Sequence, residues 1–263
     1  MVKSSSRFRL PTSAELPCSD ETPVDNEDQN FIPNFLLFLL EFIWASRNDW
    51  FFGVDMGVYH TTGANHLIPV VPDGFLSLGV ERRKGGGSRS SYVMWEEEEV
   101  APILALEVVS QTPGGEYDKK EEIYARLGVL YYVIYNPHYS QRDRHQPLEI
   151  YRLVNGTYRL QIGEPFWMPE IGLGIGRGIR DFAGVRREVL YWWDDRDRRY
   201  LASEEAEQQA RQELETARQQ LDAMREELDS TRQQLETERQ EREQMQRELE
   251  RYRQQFGDFT PEE

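Results

Sequence analysis

The sequence predicts an α/β domain, with a mixed sheet flanked by helices, followed by a long C-terminal helix of the coiled-coil kind. Three observations carry that prediction. Ala105 to Ser110 is an apolar run with one carboxylate, Glu107, set into it, which reads as a strand buried on both faces. A helical stretch from Glu116 to Leu127 and a second apolar run, Leu130 to Tyr135, follow at short intervals and make a crossover unit with parallel strands. From Ser203 onward Leu214, Leu221, Leu228, Leu235 and Leu249 fall on a seven-residue spacing.

Each element has its own justification. Residues 1–29 are polar, with Pro11, Pro17 and Pro23, and read as a flexible arm. A helix over Asn30 to Ser46 begins near Pro33, and its apolar core Phe35 to Trp44 contains Glu41. That decamer falls well short of the ~20 residues a membrane span needs, so it reads as a core helix. Phe51 to His60 and Gly74 to Leu78 read as strands, and Arg82 to Glu99, with its Gly triplet and its basic and acidic runs, as a loop. That loop is either a phosphate-facing arm or a solvated insertion.

Gly128 closes the helix that ends at Leu127, where a left-handed residue is wanted. Asn155-Gly156 joins Leu148–Leu153 to Tyr158–Ile162 as a hairpin. The Gly172 to Gly178 run reads as a turn back toward the sheet, and Val189 to Trp193 as a last short strand. The domain spans residues 30–200, the coiled coil 203–256 and a tail 257–263. Ala217, Met224, Thr231, Met245 and Tyr252 complete the seam, which Glu238 and Arg242 interrupt. Such a stripe must be buried, which predicts a homo-oligomer; the alternative is a single helix held by Glu/Arg pairs.

Bulk properties exclude several classes. The net charge of −16 is wrong for a protein gripping nucleic acid through a broad basic surface. Residues 201–263 hold 18 acidic and 9 basic side chains, which leaves −7 for the first 200. One cysteine, Cys18, forms no intrachain disulfide, and the four histidines show no zinc spacing. The N-terminus has no apolar signal region, which predicts a cytoplasmic protein with no membrane partner. Neither Gly-rich run ends in the Gly-Lys-Ser/Thr that a phosphate loop requires.

A carboxylate inside a buried strand is costly without a partner. Asp73, in a turn opening the Gly74 strand, is the natural neighbour of Glu107, and two such carboxylates suit Mg²⁺ or Mn²⁺ with waters and phosphate oxygens completing the shell. Lys120 and Tyr124, four apart, share one helix face, while Lys119 points about a quarter turn away. An ammonium there would neutralise charge on a scissile phosphate. Turn Asp, strand Glu and helix Lys together point to phosphodiester hydrolysis.

Pro72-Asp73, Leu106-Glu107-Val108-Val109-Ser110, and Asp118 through Lys120 to Tyr124 running on to Asn136-Pro137 resemble the PD-(D/E)XK restriction-endonuclease-like fold. Within it they are similar to the Uma-type family common in cyanobacteria. Trp167 to Gly174 and the coiled-coil tail look like that family too. The resemblance implies a restriction-endonuclease-like sheet, a Mg²⁺-dependent endonuclease and DNA as substrate. It makes Asp73, Glu107 and the Val108 carbonyl metal ligands. The superfamily's lysine position is Val109 here, so the resemblance implies a lysine displaced onto the helix, Lys120 with Lys119 in reserve. The resemblance also implies that Glu27 corresponds to an extra acid that some relatives use. The rival expectation is an inactive nuclease-like scaffold acting through its coiled coil.

Overall fold

In the computed structural model, residues 9–17, 26–63, 65–112, 114–182 and 184–257 are described; Cys18 and Pro23 lie outside them. The chain divides into two units, residues 1–201 and 202–263.

The first helix, α1, is Glu27–Ile43. It starts earlier than its sequence suggests because Asn26 caps it, its side chain accepting the amides of Asp28 and Gln29 at 2.9 and 3.1 Å. Pro33 sits inside the helix rather than at its start. Ile32, Phe35, Leu36, Leu39 and Leu40 form one buried stripe with helical spacing.

The strands are β1 (Trp50–Val54), β2 (Val58–Tyr59), β3 (Gly74–Leu78), β4 (Tyr92–Val93), β5 (Leu104–Val108), β6 (Tyr131–Tyr135), β7 (Leu148–Val154), β8 (Thr157–Leu160), β9 (Phe166–Met168), β10 (Leu173–Phe182) and β11 (Val185–Trp193). The helices after α1 are α2 (Lys119–Leu127), a single turn α3 (Ser140–Asp143) and α4 (Ser203–Phe256). The central sheet runs β1-β3-β5-β6-β7-β8. β5 and β6 are parallel, as the crossover predicts, and the other pairs are antiparallel, so the sheet is mixed. Gly128 takes the left-handed conformation at φ 81° and ends α2. Asn155 and Gly156 take φ 52° and 79°, the paired positive values that a two-residue hairpin needs.

The two sheet faces differ. Phe75, Ala105, Val109, Tyr132 and Ile134 pack with Tyr124 and Leu127 of α2 in one cluster. On the other face a Cβ at Gly74 would meet Pro33 of α1 at 3.1 Å, so α1 lies across that side. The outer side of α1 meets β11, where Trp192 donates its indole N–H to the Leu36 carbonyl at 2.9 Å and Tyr191 packs edge-on against Phe35 at 5.1 Å.

Three strand expectations are corrected. The Gly172–Gly178 run is not a turn but most of β10, in a three-stranded sheet β11-β10-β9. Its glycines occur inside a strand because rings fill their face: a Cβ at Gly178 would come within 2.7 Å of the Tyr191 ring. The last short strand is the end of a nine-residue one. Phe51 to His60 is two strands, the second pairing in parallel with β4.

The Arg82–Glu99 segment leaves β3 at the end opposite Asp73, and it is tied down rather than open. Arg89 and Lys84 both bond to buried Glu97, at 2.9 and 3.1 Å. Within the N-terminal arm, residues 9–17 are packed rather than trailing, since Leu16 is buried against Tyr59 and Val93 and Trp95 donates to the Pro11 carbonyl at 2.8 Å.

The second unit is α4, 54 residues without interruption. Its first-turn amide is held by Glu205, which accepts the Ala202 N–H at 2.9 Å. No described helix is long and apolar enough to cross a membrane.

Candidate active site

β3 and β5 pair with Gly74 opposite Leu106 and Phe75 opposite Ala105. Continuing that register by one residue sets Asp73 opposite Glu107. Directly opposed residues project from the same face, and alternation puts Glu107 with Ala105 and Val109 on the α2 side. The turn aspartate and the strand glutamate thus meet on one face, and the ladder itself holds them there. Asp73 Oδ2 accepts the Val108 N–H at 2.6 Å.

α2 supplies the rest. Lys120 donates to Glu107 Oε2 at 2.7 Å and to the Val71 carbonyl at 3.2 Å. Tyr124, one turn further, donates to Glu107 Oε1 at 2.6 Å. The i,i+4 spacing therefore delivers one donor to each oxygen of one carboxylate. Lys119 is exposed and stands outside this set. Glu107 is 1 % exposed, whereas Asp73 and Lys120 keep partial contact with solvent.

Electrostatics follow from this burial. The Asp73 carboxyl is pushed well above the ordinary carboxylate range, first by burial and then by the charge of Glu107. Burial also raises Glu107, against the pull of Lys120 and Tyr124. Burial works against the Lys120 ammonium, but the charge and hydrogen bond of Glu107 win and raise its pKa. Two crowded acids, both reluctant to ionise, are a donor set whose charge a divalent cation would relieve. Among the described residues no group of three or more His, Cys, Asp or Glu forms a metal cluster. A cation here would rest on two carboxylates, backbone oxygen and water, which is an ordinary Mg²⁺ environment.

One residue escaped the sequence reading. The sequence pattern sets Glu116 at the start of the helix, but α2 begins at Lys119 and Glu116 is buried in the loop before it. Both its oxygens accept the Gly114 N–H, at 3.0 and 2.9 Å, and its carbonyl accepts the Tyr132 hydroxyl at 2.6 Å. Its charge reaches Asp73, Glu107 and Lys120. The preceding Gly-Gly was the only signal, and it marks a loop rather than a site. Glu27 is exposed in the first turn of α1, in the layer across the sheet from α2. Its neighbour Asp28 makes the contacts there, with Arg187 and with His138 at 2.8 Å.

An acid at a strand opening, an acid inside the adjoining strand and a lysine on the next helix, on one face of a mixed sheet, define a class of carboxylate-lysine sites. Residues 20–185 match the model of the Uma2 family, described as "Putative restriction endonuclease", and the chain belongs to that family. No curated protein and no solved structure matches it.

Proposed function

We propose that this chain is a Mg²⁺- or Mn²⁺-dependent endonuclease that hydrolyses DNA phosphodiester bonds at the Asp73–Glu107–Lys120 site. The observation that carries this reading is that Asp73 accepts the amide of Val108, next to Glu107, while Lys120 is bonded to Glu107 itself. Asp73 and Glu107 would hold the cation, with the Val108 carbonyl as a third donor. Bound there, the ion supplies Lewis acidity at the phosphate and acidifies water. The Val108 amide fixes Asp73 through Oδ2 and leaves Oδ1 to the cation.

Tyr124 orients Glu107. An ammonium has three protons, and two of those on Lys120 are spent on Glu107 and Val71. The third is left for a phosphate oxygen, where it offsets the charge that develops during hydrolysis. Lys119 and Glu27 have no part in this scheme. With −7 on the first 200 residues, binding to DNA depends on the cation rather than on a basic surface. The seam of α4 joins copies of the chain.

One observation favours the rival reading, an inactive scaffold that acts through α4. Both Glu107 oxygens are already satisfied from inside the protein. Purified chain incubated with plasmid DNA and Mg²⁺ or Mn²⁺ separates the two. The nuclease reading expects metal-dependent nicking that falls at least about a hundredfold in Asp73→Asn and Glu107→Gln. Absence of Mn²⁺ binding by calorimetry, or cleavage unchanged from the parent chain in both variants, supports the scaffold.

A further inference from the structure

α4 carries its large apolar side chains on the outside. Leu221 is 50 % exposed and Met224 69 %, and the other large apolar members of the seam fall between them. The flanks of that seam differ in charge. Four residues after each core position of the leucine series come Arg218, Arg225, Arg232, Arg239, Gln246 and Arg253. One residue before each come Glu213, Gln220, Glu227, Gln234, Glu241 and Glu248. One edge of the stripe is basic almost throughout, and the other is acidic or neutral.

We propose that α4 pairs with α4 of a second copy, parallel and in register, and that these two edges set the orientation. In a parallel pair each acidic-edge residue faces the basic-edge residue five further along the other helix. Glu213, Glu227 and Glu248 then meet Arg218, Arg232 and Arg253 of the second copy, twice over, and the remaining positions pair a charge with Gln. No like charges face each other along either flank. An antiparallel pair, whatever its stagger, lays the arginine edge against the arginine edge. The ion pairs within one helix, such as Arg225–Asp222 at 3.7 Å and Arg239–Glu243 at 3.5 Å, are exposed and compete only weakly.

Glu238 and Arg242 interrupt the seam and test the argument. An antiparallel pair centred on Gln240 would set them against each other. Residue 256 would then lie opposite residue 224, leaving Leu214 and Leu221 uncovered. In register, the two charged layers coincide about 6 Å apart, so each carboxylate has a guanidinium of both copies one layer away. The long arginine stem lets the Arg242 head reach water beside a two-stranded seam. A shift of one heptad would instead set Arg242 against Leu235 and Leu249 and spoil further layers.

Orientation matters because each α4 begins directly after the α/β unit. Parallel pairing sets the first residues of the two α4 helices side by side, whereas antiparallel pairing separates them by up to about 80 Å. The inference rests on the self-association proposed above, and it stays distinguishable from it.

The test uses the full chain with Cys18→Ser and a single spin label at Gln212→Cys or at Gln254→Cys, both on the outer surface of the pair. Pulsed dipolar spectroscopy is expected to give one short inter-copy distance at each site, on the order of 25 Å. A dimer by sedimentation with long distances at both sites overturns the orientation alone. A monomer at all concentrations overturns the association as well. As a second measurement, Arg232→Glu, which faces Glu227, should weaken self-association at least tenfold, and mixing it with Glu227→Arg chain should restore it. Undiminished association of Arg232→Glu overturns the role given to the charged edges.

Discussion

The α/β unit and α4 face opposite forms of one problem. In the first, a charged side chain lies where water cannot reach, and the fold answers from within: Glu107 receives Lys120 on one oxygen and Tyr124 on the other. In the second, leucines lie exposed along α4, and the proposed answer is a second copy of the chain. A buried charge without partners costs several kcal/mol, so those partners are built into neighbouring strands and helices. An exposed leucine costs far less, so it can stand on a helix surface with no partner built into the fold. Burial, more than residue type, decides whether a position belongs to the fold or to an encounter.

The same substitution in both regions should break this contrast most sharply. Leu106→Asp places an unpaired carboxylate beside Glu107 in a strand with 0 % exposure, and should cost more than about 4 kcal/mol and leave the chain unfolded by circular dichroism. Leu228→Asp should leave the thermal unfolding of the α/β unit unchanged and abolish self-association by sedimentation. If both variants unfold, α4 is part of the fold rather than a surface.

A smaller effect is expected from Tyr124→Phe, which removes one donor from Glu107 while keeping the ring. It should cost about 1–3 kcal/mol in chemical denaturation, because a buried carboxylate oxygen loses its partner. An equivalent hydroxyl deletion on α4 has no buried group to orphan.

Titration sharpens the comparison further. The pKa of Asp73 is raised in the folded chain, so folding favours its neutral form. That contribution is complete in acid and is lost as pH climbs through the raised value. Glu107 acts in the same direction. Lys120, also raised, contributes until the pH passes its ordinary range near 10.5, and so does not mask the effect. With metal chelated, thermal stability should fall as pH rises above the ordinary carboxylate range, and Asp73→Asn should flatten that slope. A slope unchanged by the substitution would remove Asp73 as its source.

Least of all should follow from Arg211→Ala, which breaks an exposed i,i+4 pair with Glu207. It is expected to cost no more than about 0.2–0.5 kcal/mol by thermal melting of the helix.

Much of the site was legible because chemistry and spacing agreed. A lone carboxylate in Leu-Glu-Val-Val demanded a partner, and the four-residue offset of Lys120 and Tyr124 put both on one helix face. The Asn155-Gly156 turn and the closing Gly128 were readable because few residues tolerate positive φ. Glu116 was not readable, since its role depends on where α2 begins, and that is set by the loop folding back on Gly114. The glycines of β10 misled for a related reason: glycine signals a turn locally, and only Tyr191 across the sheet explains it within a strand.

By itself, then, the chain's order of residues determined the crossover unit, the hairpin, the heptad seam and the acids and lysine worth watching, because each is a pattern of local period or conformational preference. Tertiary structure alone decided that Asp73 accepts the Val108 amide, that Lys120 and Tyr124 each take one oxygen of Glu107, and that residues 9–17 pack on the body instead of trailing. Register and burial depend on contacts between residues distant in sequence, and no local preference encodes which of them will meet.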